Sequence, residues 1–405
     1  MSEISGGHGK GPLAGLRVLD IATILAAPSA AALLSDYGAE VLKIELPGGD
    51  GLREFPPHKN GKPLWWKVTN RNKKLISLDL RKPEGLALFK RLLPRFDVLI
   101  ENFRPGTLER WGLDRDTLWQ LQPRLTILRV TAFGQDGPYR DRPGFARVFE
   151  SMGGLTYICG EPDGPPMHVG YPLGDSVGGL MGAVGVLAAL WKRARDPQAL
   201  GEEIDLSLTE ATLKLLEYLP IRYDQLGEVC ERSGNISQYA APTGAYRTRD
   251  RHWVSLSGST NALFAANCRA IGREDLIADP RYQSNVNRCG YKDELNALFG
   301  EWIASHDLTH VLACFELHKG TLVPIYSAKQ IAEDAQIAAR GFLREVPDPD
   351  LGLVRVQGVV PRFRNDPGDI YGTAGPIGHD NDEIYGQWLG LSAADQAVLR
   401  KAQVI

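Results

Sequence analysis

The chain has 405 residues, 43% apolar and 23% charged, with 46 lysines and arginines against 49 acids and a formal net charge of −3. That balance offers no basic surface to nucleic acid or to an anionic membrane, and it leaves a small molecule or another subunit as the expected partner. Five widely spaced cysteines (Cys159, Cys230, Cys268, Cys289, Cys314) without a CxxC pair argue against a disulfide framework or a structural zinc site and fit a reducing cytoplasm.

The opening residues are polar and glycine-rich, unlike a signal peptide. "LRVLDIA" (Leu16–Ala22) predicts a buried strand. "PSAAALLSDYG" predicts a helix with Pro28 near its first turn and Gly38 just past its end, and "AEVLKIE" (Ala39–Glu45) the next strand. The alternation continues with strand Lys74–Leu80, a helix from Pro83, strand Asp97–Asn102, helices to Gln122 and strand Arg124–Thr131. Such alternation predicts a parallel sheet with helices on both faces. The turn after the first strand reads "ATILAAPSAA" and lacks GxGxxG, so no dinucleotide cradle is expected.

"NRNKKLISLDLRKPEG" (Asn70–Gly85) is basic at both ends of its strand, which suggests an anionic ligand. "ENFRPGTLERWGLD" (Glu101–Asp114) leaves a strand at the carboxyl edge of the expected sheet, where open α/β sheets bind ligands. Its Arg104 and Arg110 are candidate phosphate donors. "TAFGQDGPYRDRPGF" (Thr131–Phe145) is a Gly/Pro-rich loop in a similar place.

In "GYPLGDSVGGLMGAVGVLAAL" (Gly170–Leu190), Asp175 stands before a run of small apolar residues. An N-cap is one reading. The other uses the same geometry, a carboxylate nucleophile toward an activated acyl group, with glycines admitting the substrate and helix N–H groups facing an oxyanion. Glycines 178, 179, 182 and 185 each weaken the helix by roughly 1 kcal/mol, so close packing against another backbone is expected in return. The most apolar window, Leu180–Trp191, is short of the ~20 residues of a membrane span.

After Glu210 a polar loop (Leu226–Gly244), a hairpin (Gly244–Ser259) and helices to Leu317 suggest a smaller domain. The tail has strand character and ends in a short helix. The eight histidines, His8 among them, form no cluster, and His306 and His310 lack an HExxH, so no metal is expected. No GxSxG is present.

Six segments in order, from "PLAGLRVLDIATILAAPSAAALLSDYGAEVLKIELPGGD" through "VLIENFRPGTLERWGLD" and "YPLGDSVGGLMGAVGVLAAL" to "PIGHDNDEIYGQWLGLS", resemble the family III CoA-transferases over nearly the whole chain. The resemblance implies an α/β fold: a large Rossmann-like domain with a parallel sheet from both chain ends (1–210 and 325–405), a smaller α+β domain (225–320), and an interlocked dimer. It makes Asp175 the nucleophile toward an acyl-CoA, through a mixed anhydride and an aspartyl-CoA thioester. Coenzyme A enters as substrate, with no tightly bound cofactor and no metal. Matching motifs assign CoA contacts to Leu25, Ala26, Leu78, Asp79, Leu80, Arg81, Asn102, Phe103, Arg104 and Arg110, and place Gly258 on the substrate side. Succinyl-CoA is the expected donor and a dicarboxylate the expected acceptor, with Arg142, Arg147 and His168 as candidates to hold a second carboxylate. The racemases of the same fold carry a histidine where this chain has Phe145. The acid common next to it in transferases is Ala146 here, and Glu150 is the nearby acid able to stand in. A racemase, or one subunit of a heteromeric transferase, is the alternative. The protein is expected in the cytoplasm, away from membrane and nucleic acid.

Overall fold

Each predicted strand is apolar at successive positions, which requires cover on both faces. The computed structural model describes residues 10–196 and 198–405; His8 and the opening residues to Gly9 lie outside them. It contains a six-stranded sheet: β1 (Arg17–Asp20), β2 (Glu40–Glu45), β3 (Lys74–Ser77), β4 (Val98–Glu101), β5 (Thr126–Thr131) and β6 (Glu203–Ser207). All neighbours pair in parallel, in the order β3-β2-β1-β4-β5-β6. Side chains divide by parity, as a strand's two-residue period demands. Leu19, Leu42, Leu99 and Ile127 enter one core; Val18, Val41, Val98 and Leu128 enter the other. The chain leaves β1 for β2 on one side and returns as β4 on the other, which opens a crevice at their carboxyl ends.

Four helices frame that crevice: α1 (Ala26–Asp36), α2 (Ala146–Met152), α3 (Leu173–Arg195) and α4 (Leu208–Lys214). The glycines of α3 do pack closely, within this unit. A Cβ at Gly179 would lie 2.9 Å from the Ser29 Cβ and 3.2 Å from the Ala26 carbonyl oxygen, both on α1. One at Gly178 would meet a Leu208 methyl of α4 at 2.2 Å. At 23 residues α3 is longer than the apolar window indicates and is long and apolar enough to cross a membrane by length and composition; its glycine face is nonetheless buried against α1 and the sheet. Gly179→Val is therefore expected to cost at least about 2 kcal/mol in denaturant unfolding, since α1 must move outward to admit the side chain.

The chain divides into two compact units. One comprises the residues up to Leu155, Val169–Ile221 and Ala338–Ile405; the other comprises Thr156–His168 and Arg222–Ile337. In the first, the C-terminal chain lies against β3: Leu75 N–H donates to Asp380 at 2.6 Å, and the Tyr385 hydroxyl donates to the Ser77 carbonyl at 2.6 Å. The second holds an antiparallel sheet of β7 (Thr243–Arg247), β8 (Trp253–Ser257) and β9 (Leu322–Pro324) under helices between Asn261 and Leu317. The buried Arg288 binds the carbonyls of Ala241, Gly258, Ser259 and Tyr282 there.

Candidate active site

The basic stretch after Asn70 is paired with acids of the same chain. Arg71 forks onto Asp36 with its Nε at 2.7 Å, the buried Lys73 binds Asp20 at 2.8 Å, and Lys74 pairs with Glu383. These cations neutralise carboxylates brought from other parts of the chain.

Asp175 sits in the first turn of α3, half-buried, at the wall of a cavity of about 230 Å³ at the carboxyl ends of β1, β4 and β5. It is not the N-cap. The helix begins two residues earlier, at Leu173, with Pro172 in the cap position. The N–H of Gly174 is taken by the buried Glu150 of α2, whose Oε1 accepts it at 2.9 Å. That leaves the Asp175 carboxylate facing the cavity, whose wall it shares with Ala26 at the start of α1. Burial, and then the charge of Glu150, raise its pKa to about 7; the N–H groups of Ala26 and of Asp175 itself pull the other way.

The cavity gathers Leu25, Ala26, Asn102, Phe103, Arg104 and Phe145 with Asp175. Asn102 and Thr23 exchange two hydrogen bonds, at 2.7 and 2.8 Å, that tie the β1 and β4 turns together. Arg140 and Arg142, both exposed, line the same cavity, and Arg142 stacks 3.7 Å from the Tyr139 ring centroid. A second cavity, of about 370 Å³, shares Thr23, Ile24 and Phe103 with the first and adds Leu78, Leu80, Arg81 and Trp111. Asp79 does not line it. Its carboxylate holds Arg81 through two 2.8 Å bonds, which keep the Asp79 pKa low. Arg110 binds Thr107 at 2.9 Å and lines neither cavity. Arg147 is exposed on α2. Gly258 and His168 belong to the second unit.

The sequence alone did not single out Thr23, Ile24 or Phe149, which also line the first cavity. Thr23 and Ile24 carried a signal in their position, on the turn after β1; Phe149, in the middle of α2, carried none. Among the described residues no group of three or more His, Cys, Asp or Glu is gathered as a metal site.

The family profile described as "CoA-transferase family III" matches residues 13–381. A succinyl-CoA–D-citramalate CoA-transferase of Chloroflexus aurantiacus is 41% identical, with 97% of this chain and 98% of that protein covered. The beta subunit of a succinyl-CoA–L-malate CoA-transferase from the same organism is 40% identical over the same shares. Among solved structures, a CAIB/BAIF family protein from Brucella suis superposes with a TM-score of 0.82 at 29% identity, covering 93% of this chain and 99% of that one.

Proposed function

The chain belongs to CoA-transferase family III, and from that premise we propose that it moves coenzyme A from succinyl-CoA to a small dicarboxylic acid through a covalent intermediate on Asp175. The observation that carries this reading is a half-buried carboxylate with raised pKa, facing a cavity at the sheet's switch point beside the N-terminus of α1.

The steps close without an outside reactant. An Asp175 oxygen attacks the thioester carbonyl, the C–S bond breaks, and a mixed anhydride and CoA thiolate form. The thiolate attacks the aspartyl carbonyl and expels succinate, leaving an aspartyl-CoA thioester. The acceptor carboxylate then displaces the thiolate to form a second anhydride. The thiolate attacks its acyl carbonyl, releasing the new acyl-CoA and the free Asp175 carboxylate. An oxygen nucleophile suits this exchange because the anhydride conserves the activation of the thioester. The nucleotide end of CoA is assigned to the cavity lined by Leu78, Leu80 and Arg81, and the thioester to the one that holds Asp175.

Phe145, which lines the cavity, carries no proton to exchange, which disfavours the racemase reading. The names of the two relatives favour succinyl-CoA as donor and a hydroxylated dicarboxylate as acceptor. The proposed assembly is a dimer, with a second copy or with a homologous subunit. Leu180, Val184, Leu187 and Trp191 form a stripe along α3, each at least 40% exposed, that such a partner would cover, and light scattering of the full chain decides it.

The test is intact-protein mass spectrometry after incubation with succinyl-CoA, followed by turnover with citramalate, malate and a monocarboxylate. A CoA-sized adduct on the Asp175 peptide, and transfer to dicarboxylates at least about tenfold above the monocarboxylate, are expected. No adduct with any acyl-CoA would remove the mechanism.

A further inference from the structure

The turn that delivers Ala26 to Asp175 is held in an unfavourable shape. Among the described residues six non-glycines have positive φ, and Ile24, at 66°, alone is β-branched. A branched side chain rarely adopts that region, so the surroundings must impose it. They do so through side chains. Asp20 accepts the Ala22 N–H at 3.0 Å, and Lys43 donates to the Ala22 carbonyl. Asn102 binds both the N–H and the carbonyl of Thr23. Asp50 accepts the Ile24 N–H at 3.1 Å. Four side chains thus bind five backbone groups of a three-residue turn.

Asp50 is suited to the last of these bonds. It is 5% exposed, accepts the Leu52 N–H at 2.9 Å, and faces Lys43 at 3.4 Å. Lys43 is fully buried and also faces Asp20 at 3.6 Å, so the acceptor is ion-paired and held from behind. Gly51 leaves room for the displaced Ile24 side chain, since a Cβ there would lie 3.0 Å from the Ile24 Cδ1. Two residues further on, Ala26 lines the same cavity as Asp175, and its carbonyl oxygen lies 3.2 Å from where a Cβ on Gly179 of α3 would stand.

We propose that Asp50 is a positioning residue for the transfer reaction, which locks Ile24 in its left-handed conformation so that the Ala26 N–H is aimed at the Asp175 carboxylate. The inference rests on Asp175 being the nucleophile. In it, buried charge on one loop sets the geometry of a reacting carboxylate on another.

The test is a double-mutant cycle on the full chain with Asp50→Ala and Ile24→Gly, because glycine adopts positive φ freely. In the parent, Asp50→Ala is expected to lower kcat about 100-fold, the size expected from a small misplacement at the reacting centre. In the Ile24→Gly background the same substitution is expected to cost less than about fivefold, since the turn no longer needs to be forced. Equal losses in both backgrounds, or no loss in the parent, would overturn the proposal. If Asp50→Ala yields no folded protein, Asp50→Leu, which keeps the branched shape and offers no acceptor, carries the comparison. The rate of adduct formation at Asp175 separates the two layers. No adduct in the parent removes the nucleophile reading itself, whereas a parent-like adduct rate in Asp50→Ala removes only the role of Asp50.

Discussion

Asp175→Asn is expected to lower CoA transfer by at least about 10⁴-fold, with no adduct in the mass spectrum and the fold retained. The amide keeps the size and shape of the carboxylate at the cavity wall, so the change removes the nucleophile and little else. In the parent the reactive form is the ionised carboxylate, and its pKa is raised to about 7. The rate of adduct formation should therefore climb as pH rises through about 7 and level off above it. A parent rate that is flat from pH 5 to 9 would contradict the assignment. The same shift predicts a gain in stability for the variant. A carboxyl whose pKa is higher in the folded state than in the unfolded chain binds its proton more tightly when folded, so it destabilises the parent progressively as pH rises from about 4 to about 7. Asp175→Asn should be more stable than the parent by about 2 kcal/mol at pH 8, with the difference vanishing below pH 4. Denaturant melts at the two pH values check it.

Much of this site was legible because its signals are local. Apolar runs between turn residues mark the inner strands, and the loops after β4 and β5 do reach the cavity from the carboxyl edge. The glycines of α3 announced a close neighbour, though not that it is α1. Other features depend on partners distant in the chain. β6 runs along the sheet edge, where an outward Asp205 interrupts the apolar pattern, so "EIDLS" does not read as a core strand. The start of α3 was misplaced because its cap is Glu150, 24 residues upstream, and not a neighbouring side chain. The cations of Arg71 to Lys74 seemed free only because Asp36, Asp20 and Glu383 lie far off in sequence. Asp50 shows the same limit: nothing in "LPGGD" tells that its carboxylate is buried beside Lys43.

Glu150 offers a sharper separation of roles, because its carboxylate both caps α3 and places a negative charge beside Asp175. Glu150→Ala should lower kcat by about 10³-fold, since it orphans the buried Gly174 N–H and empties the space that fixes the start of the helix. Gly174 has no slack there: a Cβ on it would lie 2.6 Å from the Phe149 ring and 3.1 Å from the Glu150 Cγ. Glu150→Gln keeps the volume and an acceptor oxygen but removes the charge. It should retain kcat at pH 8 to within about tenfold. Its pH profile should also move, because without the neighbouring charge the Asp175 pKa falls from about 7 and the rate limb shifts to lower pH. Adduct formation measured from pH 4 to 9 on the parent and both variants decides the matter. A Gln variant as impaired as the Ala variant would mean that the charge of Glu150 takes part in the reaction. A Gln variant with an unmoved limb would mean that burial alone sets the Asp175 pKa, and that Glu150 acts only through the Gly174 N–H.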